Sequence, residues 1–148
     1  MKAILQRVLE ASVDVEGQTV GKIGHGIVVL FCCERGDSDE DAVHFAHKAA
    51  KLRIFSDEQG KTNLDINEVK GDFLVLSQFT LAAQWRKGNR PGFSNAEAPE
   101  RAKQVYELFC RTLRDDGHKV ETGIFAADMK LSLVNDGPFT IVMDSRDT

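Results

Sequence analysis

Two polar interruptions of apolar runs hold most of the chemistry this sequence can offer. Ser77-Gln78-Phe79-Thr80-Leu81 ends the run Phe73-Leu74-Val75-Leu76. Asn135-Asp136-Gly137-Pro138-Phe139-Thr140 separates Leu131-Ser132-Leu133-Val134 from Ile141-Val142-Met143. A buried strand normally stays apolar until a turn releases it to solvent. Hydroxyls and an amide at a strand end are therefore either turn chemistry or the lining of a pocket. Glycine followed by proline adds a backbone whose carbonyls can be aimed in an unusual direction. Ser77 and Thr80 are possible nucleophiles, but nothing in the sequence places a histidine beside them. No nucleophile elbow of the form G-x-S-x-G supports a triad.

The other reactive residue types argue for less. His44 and His47 stand three apart on an expected helix, a spacing that suits metal ligands, yet no third ligand is near. A solvated helix face is the better account, and no metal or other cofactor is expected. Cys32, Cys33 and Cys110 form no metal or redox spacing. The pair Cys32-Cys33 ends the run Ile27-Val28-Val29-Leu30-Phe31 and reads as buried packing in a reducing compartment. Gly21, Gly24 and Gly26 match neither nucleotide-binding fingerprint. The segment Gln84-Trp85-Arg86-Lys87-Gly88-Asn89-Arg90-Pro91 puts three cations beside an aromatic ring. Such a loop can hold phosphates and stack a base, or it is a solvated connection with an incidental Trp85.

The elements that must position these groups are legible in outline. Residues 3–8 and 11–15 alternate as strand, Glu16-Gly17-Gln18 is a hairpin turn, and 27–34 is a buried strand. Ser38 caps a helix whose first turn is acidic, with Asp41 completing an approximate capping box. Val43, Ala46, Ala50 and Ile54 form its apolar stripe. Asp57-Glu58-Gln59-Gly60-Lys61 is a polar turn, and 72–81 returns to strand. The irregular stretch 82–98 is long for a compact domain, which hints at binding. Pro99 opens a second amphipathic helix with Ala102, Val105, Tyr106, Phe109 and Leu113 inward, and Gly117 ends it. Strands are expected at 119–123, 129–135 and 139–144. The fold class is α/β: a single domain, residues 1–148, with mixed, largely antiparallel, barrel-like sheet and two main amphipathic helices.

Size and charge bound the function. The chain of 148 residues carries a formal charge of −4 and 42% hydrophobic residues, the profile of an ordinary globular domain. An acidic chain does not coat DNA or RNA, although a local basic loop can grip one RNA end. No apolar stretch approaches the roughly 20 residues of a membrane helix, and the early charges at Lys2 and Arg7 do not suit a secretory signal. The cytoplasm is the expected location, with no membrane and no DNA as partner.

The two interruptions resemble the signature motifs of the D-aminoacyl-tRNA deacylases (D-tyrosyl-tRNA deacylases). The likeness extends in order through Gln6-Arg7-Val8, Ala11-Ser12-Val13, Glu34-Arg35-Gly36-Asp37, Leu52-Arg53-Ile54-Phe55, Arg86-Lys87-Gly88, Glu121-Thr122-Gly123 and Ala127-Asp128-Met129. It spans essentially the whole chain. Departures lie outside both motifs: Ala-Ala-Gln-Trp at 82–85, Gly92 where a serine is usual, and Cys32-Cys33 for a Gly-aliphatic pair.

The resemblance implies hydrolysis of the ester joining a D-amino acid to the 3′-terminal ribose of tRNA. It implies a cis Gly137–Pro138 bond whose two carbonyls accept from the substrate α-ammonium across a homodimer. A D-residue then points its side chain outward, while an L-residue drives its Cβ into this backbone. Arg7 braces that loop by the same resemblance, Ser77 and Gln78 hold the terminal adenosine and the ester, and Phe125 and Met129 wall the adenosine pocket. Arg86 and Lys87 are the expected RNA contacts. An aminoacyl ester is already activated, so orientation and oxyanion stabilisation can suffice without an acid–base pair. The N–H groups of Gln78 and Phe79 are the oxyanion candidates. Thr80 is expected to position the substrate rather than attack it, the neighbouring ribose hydroxyl being an alternative helper. The rival readings are an editing deacylase for a small L-amino acid or glycine on tRNA, against which Ser77 argues, and a non-catalytic nucleic-acid-binding module.

Overall fold

One long strand, β1 (Lys2–Val15), organises the sheet, and the computed structural model describes it together with the rest of residues 1–147. Its first half pairs antiparallel with β3 (Gly26–Cys32) and its second half with β2 (Gln18–Ile23). Its other edge pairs with β8 (Lys130–Asp144) along almost its whole length. Glu16 and Gly17, at φ 50° and 78°, make the two-residue turn into β2, as the primed hairpin turns require. The two strands expected at 3–8 and 11–15 are thus a single strand. It bends at bulges against β8 instead of breaking.

β3 runs parallel to β6 (Asp72–Ser77), and β6 parallel to β7 (Val120–Thr122). Parallel neighbours need crossover connections. α1 (Asp39–Lys51) and the short hairpin of β4 (Phe55–Ser56) and β5 (Thr62–Leu64) lie on the first crossover, and α2 (Pro99–Asp115) lies on the second. Antiparallel pairs predominate, and the sheet curls towards closure. β2 approaches β7 so tightly that a Cβ on Gly21 would stand 2.6 Å from the Thr122 carbonyl oxygen.

The helices cover one face. Leu5, Ile27, Val29, Phe31, Phe73 and Val75 meet Phe45 of α1 and Phe109 of α2 there. Val8, Val13, Ile23, Val28, Leu74 and Leu76 form a second core on the other face. β3 and β6 are buried on both sides, which is why their sequences read as unbroken apolar runs.

Ser38 caps α1 as expected, its hydroxyl accepting from the Asp41 N–H at 3.1 Å while the Asp41 carboxylate accepts from the Ser38 N–H at 2.9 Å. The buried face of α1 is Ala42, Phe45, Ala46, Ala49 and Ala50, so the expected stripe is rotated. Val43 is half-buried, and Ile54 is buried but lies beyond the helix end. Alanines let α1 approach its neighbours closely, and the bulkier valine is left at the margin. In α2 the expected Val105, Tyr106, Phe109 and Leu113 are buried.

Two further boundaries differ. The strand expected over 72–81 stops at Ser77, and Phe79–Ala82 is a 3-10 helix. The strands expected at 129–135 and 139–144 are the two halves of β8. No helix among the described residues is long and apolar enough to cross a membrane.

Candidate active site

Ser77 is the last residue of β6 and pairs with Phe31. Gln78 adds one more rung, its N–H donating to the Phe31 carbonyl at 2.7 Å. This corrects the oxyanion expectation, because the sheet already occupies the Gln78 N–H. The next two donors differ. The first N–H groups of a helix lack intrahelical acceptors, and those of Phe79 and Thr80 find none among the described residues.

The side chains of this turn are mutually arranged. Gln78 Nε2 donates to Thr80 Oγ1 at 2.6 Å. Among the described residues no histidine or carboxylate hydrogen-bonds to that hydroxyl. Phe79 is 57% exposed and meets Phe93 edge-on at 5.2 Å. Beneath it the Cys32 thiol lies 3.7 Å from the Phe79 carbonyl oxygen. Burial, with the Glu34 charge nearby, pushes the Cys32 thiol up to about 11, and burial with Asp37 takes Cys33 to about 12. Neither sulfur is a thiolate nucleophile at neutral pH.

The second motif bulges out of the ladder between β1 and β8. Gln6 pairs with Thr140 and Val8 with Asn135, so Asp136, Gly137, Pro138 and Phe139 all stand opposite Arg7 alone. The excursion is tied down at its base. Arg7, itself buried, donates from Nε to the Asp136 carbonyl at 3.0 Å and from Nη1 to the Ile54 carbonyl at 2.7 Å. Its guanidinium carbon lies 4.7 Å from the centre of the Phe139 ring. Asn135 Nδ2 donates to the carbonyls of Arg7 and Phe139, at 2.8 and 3.0 Å. Gly137 and Pro138 are left exposed at the tip, joined by a cis peptide.

Asn135 and Phe139 lie inside the second motif but carry no role assigned from the sequence, and the Ile54 carbonyl is not singled out by it. Asn135 and Phe139 adjoin Gly137-Pro138, and that adjacency is the one signal that could find them. No sequence signal points to a carbonyl just beyond the end of α1.

The remaining expected residues fall in two places. Phe125 and Met129 follow β7, whose Thr122 pairs with Val75, two residues before Ser77 in β6. Both are half-buried. Phe125 packs tilted on Tyr106 at 6.0 Å, and the Met129 sulfur covers the Cα of Gly123. The carboxyl ends of parallel strands are a common ligand position. Arg86 and Lys87 are exposed on the loop that follows the 3-10 helix. His47 pairs with Asp116 at 2.6 Å and His44 is exposed; among the described residues no group of three potential ligands converges.

One relationship governs the whole arrangement. Arg7 is level with Ile27 and Phe73, whereas Ser77 is level with Phe31 and Ala3. Four residues of strand separate the two levels, about 13 Å. Among the described residues no hydrogen bond joins Gly137-Pro138 to Ser77-Gln78-Phe79-Thr80 within the chain.

The family model described as D-Tyr-tRNA(Tyr) deacylase matches residues 4–144. The chain belongs to the D-Tyr-tRNA(Tyr) deacylase family. A D-aminoacyl-tRNA deacylase of Paracoccus denitrificans is 56% identical over 99% of both chains. The Geobacter sulfurreducens protein of that name is 51% identical over 99% of this chain and 96% of its own. The name denotes a hydrolase acting on ester bonds. Among solved structures, the c-Myc DNA Unwinding Element Binding Protein superposes with a TM-score of 0.94 at 37% identity, covering 99% of this chain and all of its own. A structure described as a "probable eukaryotic D-amino acid tRNA deacylase" shares the fold, with a TM-score of 0.81 at 20% identity over 96% of this chain and 97% of its own.

Proposed function

We propose that this member of the deacylase family hydrolyses the ester of D-aminoacyl-tRNA in the cytoplasm, as a homodimer whose two sites are each built from both subunits. The observation that carries the reading is the four-residue offset between the levels of Arg7 and Ser77 within one chain, with Phe79, Thr80, Gly137 and Pro138 exposed. A second copy related by a twofold axis can supply the missing half to each site.

In this reading Ser77 and Gln78 hold the ester and the terminal adenosine, with Phe125 and Met129 beside the base. The free N–H groups of Phe79 and Thr80 meet the developing oxyanion, an interaction worth most where donors are fixed in advance. Thr80, already accepting from Gln78 and with no base beside it, positions the attacking water or the ribose hydroxyl. The Gly137 and Pro138 carbonyls of one subunit accept from the α-ammonium bound by the other. An L-residue is rejected because its Cβ would meet this backbone. Arg86 and Lys87 contact the RNA.

Subunit complementation tests the composite site. Gln78→Ala/Thr80→Ala chains and Gly137→Ala chains are each expected to be weak alone. Refolded together in equal amounts, half the dimers are mixed and each mixed dimer holds one intact site, so about a quarter of wild-type activity returns. No recovery would place each site within one chain. A second reading, nucleic-acid binding without hydrolysis, draws on the DNA-binding name of one structural relative. It requires binding of uncharged tRNA or DNA with no release of amino acid from D-Tyr-tRNA.

A further inference from the structure

Beyond the 3-10 helix the chain forms a pinned basic loop that the ester chemistry does not use. Gln84 and Gly92 exchange both backbone hydrogen bonds, N–H to carbonyl, at 2.8 and 3.0 Å. The Ser94 hydroxyl donates to Gln84 Oε1 at 2.7 Å, and Gly88 turns the tip at φ 71°. Trp85, the only tryptophan in the chain, is 69% exposed at this neck. The Arg86 guanidinium carbon lies 5.2 Å from the centre of its ring. Trp85, Arg86, Lys87 and Arg90 line a shallow concavity of about 600 Å³.

Two physical points make this more than a solvated connection. Leaving a large aromatic mostly exposed forfeits its burial free energy, so its position needs another explanation. Arg86, Lys87 and Arg90 fall within five positions of one another and have no carboxylate within ion-pair distance among the described residues. In a chain of net charge −4, three neighbouring unneutralised cations beside a bare indole suit an anionic partner that also carries flat rings.

Resting on the deacylase reading, we propose that Trp85 and Arg86 form the stacking platform for an unpaired base of the tRNA 3′ strand, 5′ to the terminal adenosine, with Lys87 and Arg90 on its phosphates. Arg86 holds one face of the indole and leaves the other to the base. Single-stranded nucleic acid is gripped in this way, by aromatic stacking inside a basic groove. Trp85 follows closely on the 3-10 helix in the chain. It is thus within ~22 Å of Phe79 even for fully extended chain, and a short single strand leaving the ester site can reach it.

The sole tryptophan is its own reporter. Titrating wild type with uncharged tRNA should quench Trp85 fluorescence. The same titration of Arg86→Gln or Arg90→Gln should lower the salt slope by about 0.7 for each phosphate no longer neutralised. Trp85→Ala should raise the KM for D-Tyr-tRNA roughly five- to hundredfold, the range of base–aromatic stacking. It should leave hydrolysis of the D-tyrosyl ester of adenosine alone unchanged. Unchanged KM in Trp85→Ala, or unquenched fluorescence in an active enzyme, overturns the platform and leaves the deacylase reading standing. Equal quenching by single-stranded DNA of the same sequence overturns its assignment to RNA. If wild type releases D-tyrosine from neither substrate, the deacylase reading itself falls.

Discussion

The guanidinium of Arg7 occupies the space that a side chain on Gly137 would need: a Cβ built there lies 2.9 Å from Nη2. Gly137 also has φ 131°, a backbone that L side chains rarely adopt. Brace and tip are therefore matched, and neither can change alone.

Gly137→Ala should displace the loop by strain and by contact with Arg7, at a cost of order 1–3 kcal/mol. The expected result is a melting temperature lower by several degrees, a preserved circular dichroism spectrum and deacylation of D-Tyr-tRNA reduced more than tenfold. Wild-type turnover in this variant would remove the loop from the mechanism.

Arg7→Lys keeps the charge and loses the fork. A single ammonium cannot reproduce the two directed bonds to Asp136 and Ile54 together with the flat contact on Phe139. An orphaned buried carbonyl costs about 1–3 kcal/mol. Chemical denaturation should show a loss in this range, and activity should fall further than stability. Full activity would show that the loop holds its shape without the brace.

Thr80→Ala deletes a hydroxyl that, among the described residues, is engaged by Gln78 alone. A positioning hydrogen bond is worth up to about 1.5 kcal/mol, so the rate should fall by roughly tenfold and no acyl-enzyme should accumulate. Near-total loss, or a trapped covalent ester, would make Thr80 the nucleophile.

The cysteines should be silent in the native state. Burial holds the Cys32 thiol at about 11 and Cys33 and Cys110 at about 12, against an ordinary value of 9.0. A thiol reagent at pH 7.5 should label none of them until denaturant is added, and activity should persist. Folding holds these protons more tightly than the unfolded chain does. Stability should therefore decline as pH rises from 9 towards 11, where only the unfolded chain releases them. Rapid native labelling with loss of activity would contradict this placement.

Legibility in the sequence follows how local each cause is. The polar ends of apolar runs mark both motifs, and Ser38 and Asp41 mark the start of α1, because each signal sits within a few residues. The occupied N–H of Gln78 is invisible in sequence, since its acceptor on Phe31 depends on parallel pairing between distant strands. The 3-10 turn after Ser77 has the same character. The excursion at 136–139 reads as a gap between two strands because its register is set by β1, at the other end of the chain. The rotation of α1 escapes its sequence because the buried face is mostly alanine, a weak apolar signal that tertiary packing selects. The burial of Arg7 comes from Ile54 and Phe139, neither of which sequence spacing associates with it.

Selection by handedness is tested most directly by charging one tRNA with D-tyrosine and with L-tyrosine and following release of each by the same enzyme preparation. Rapid release of the D-amino acid, with the L-ester decaying no faster than without enzyme, is the predicted result. Comparable release of both would contradict the backbone filter at Gly137 and Pro138.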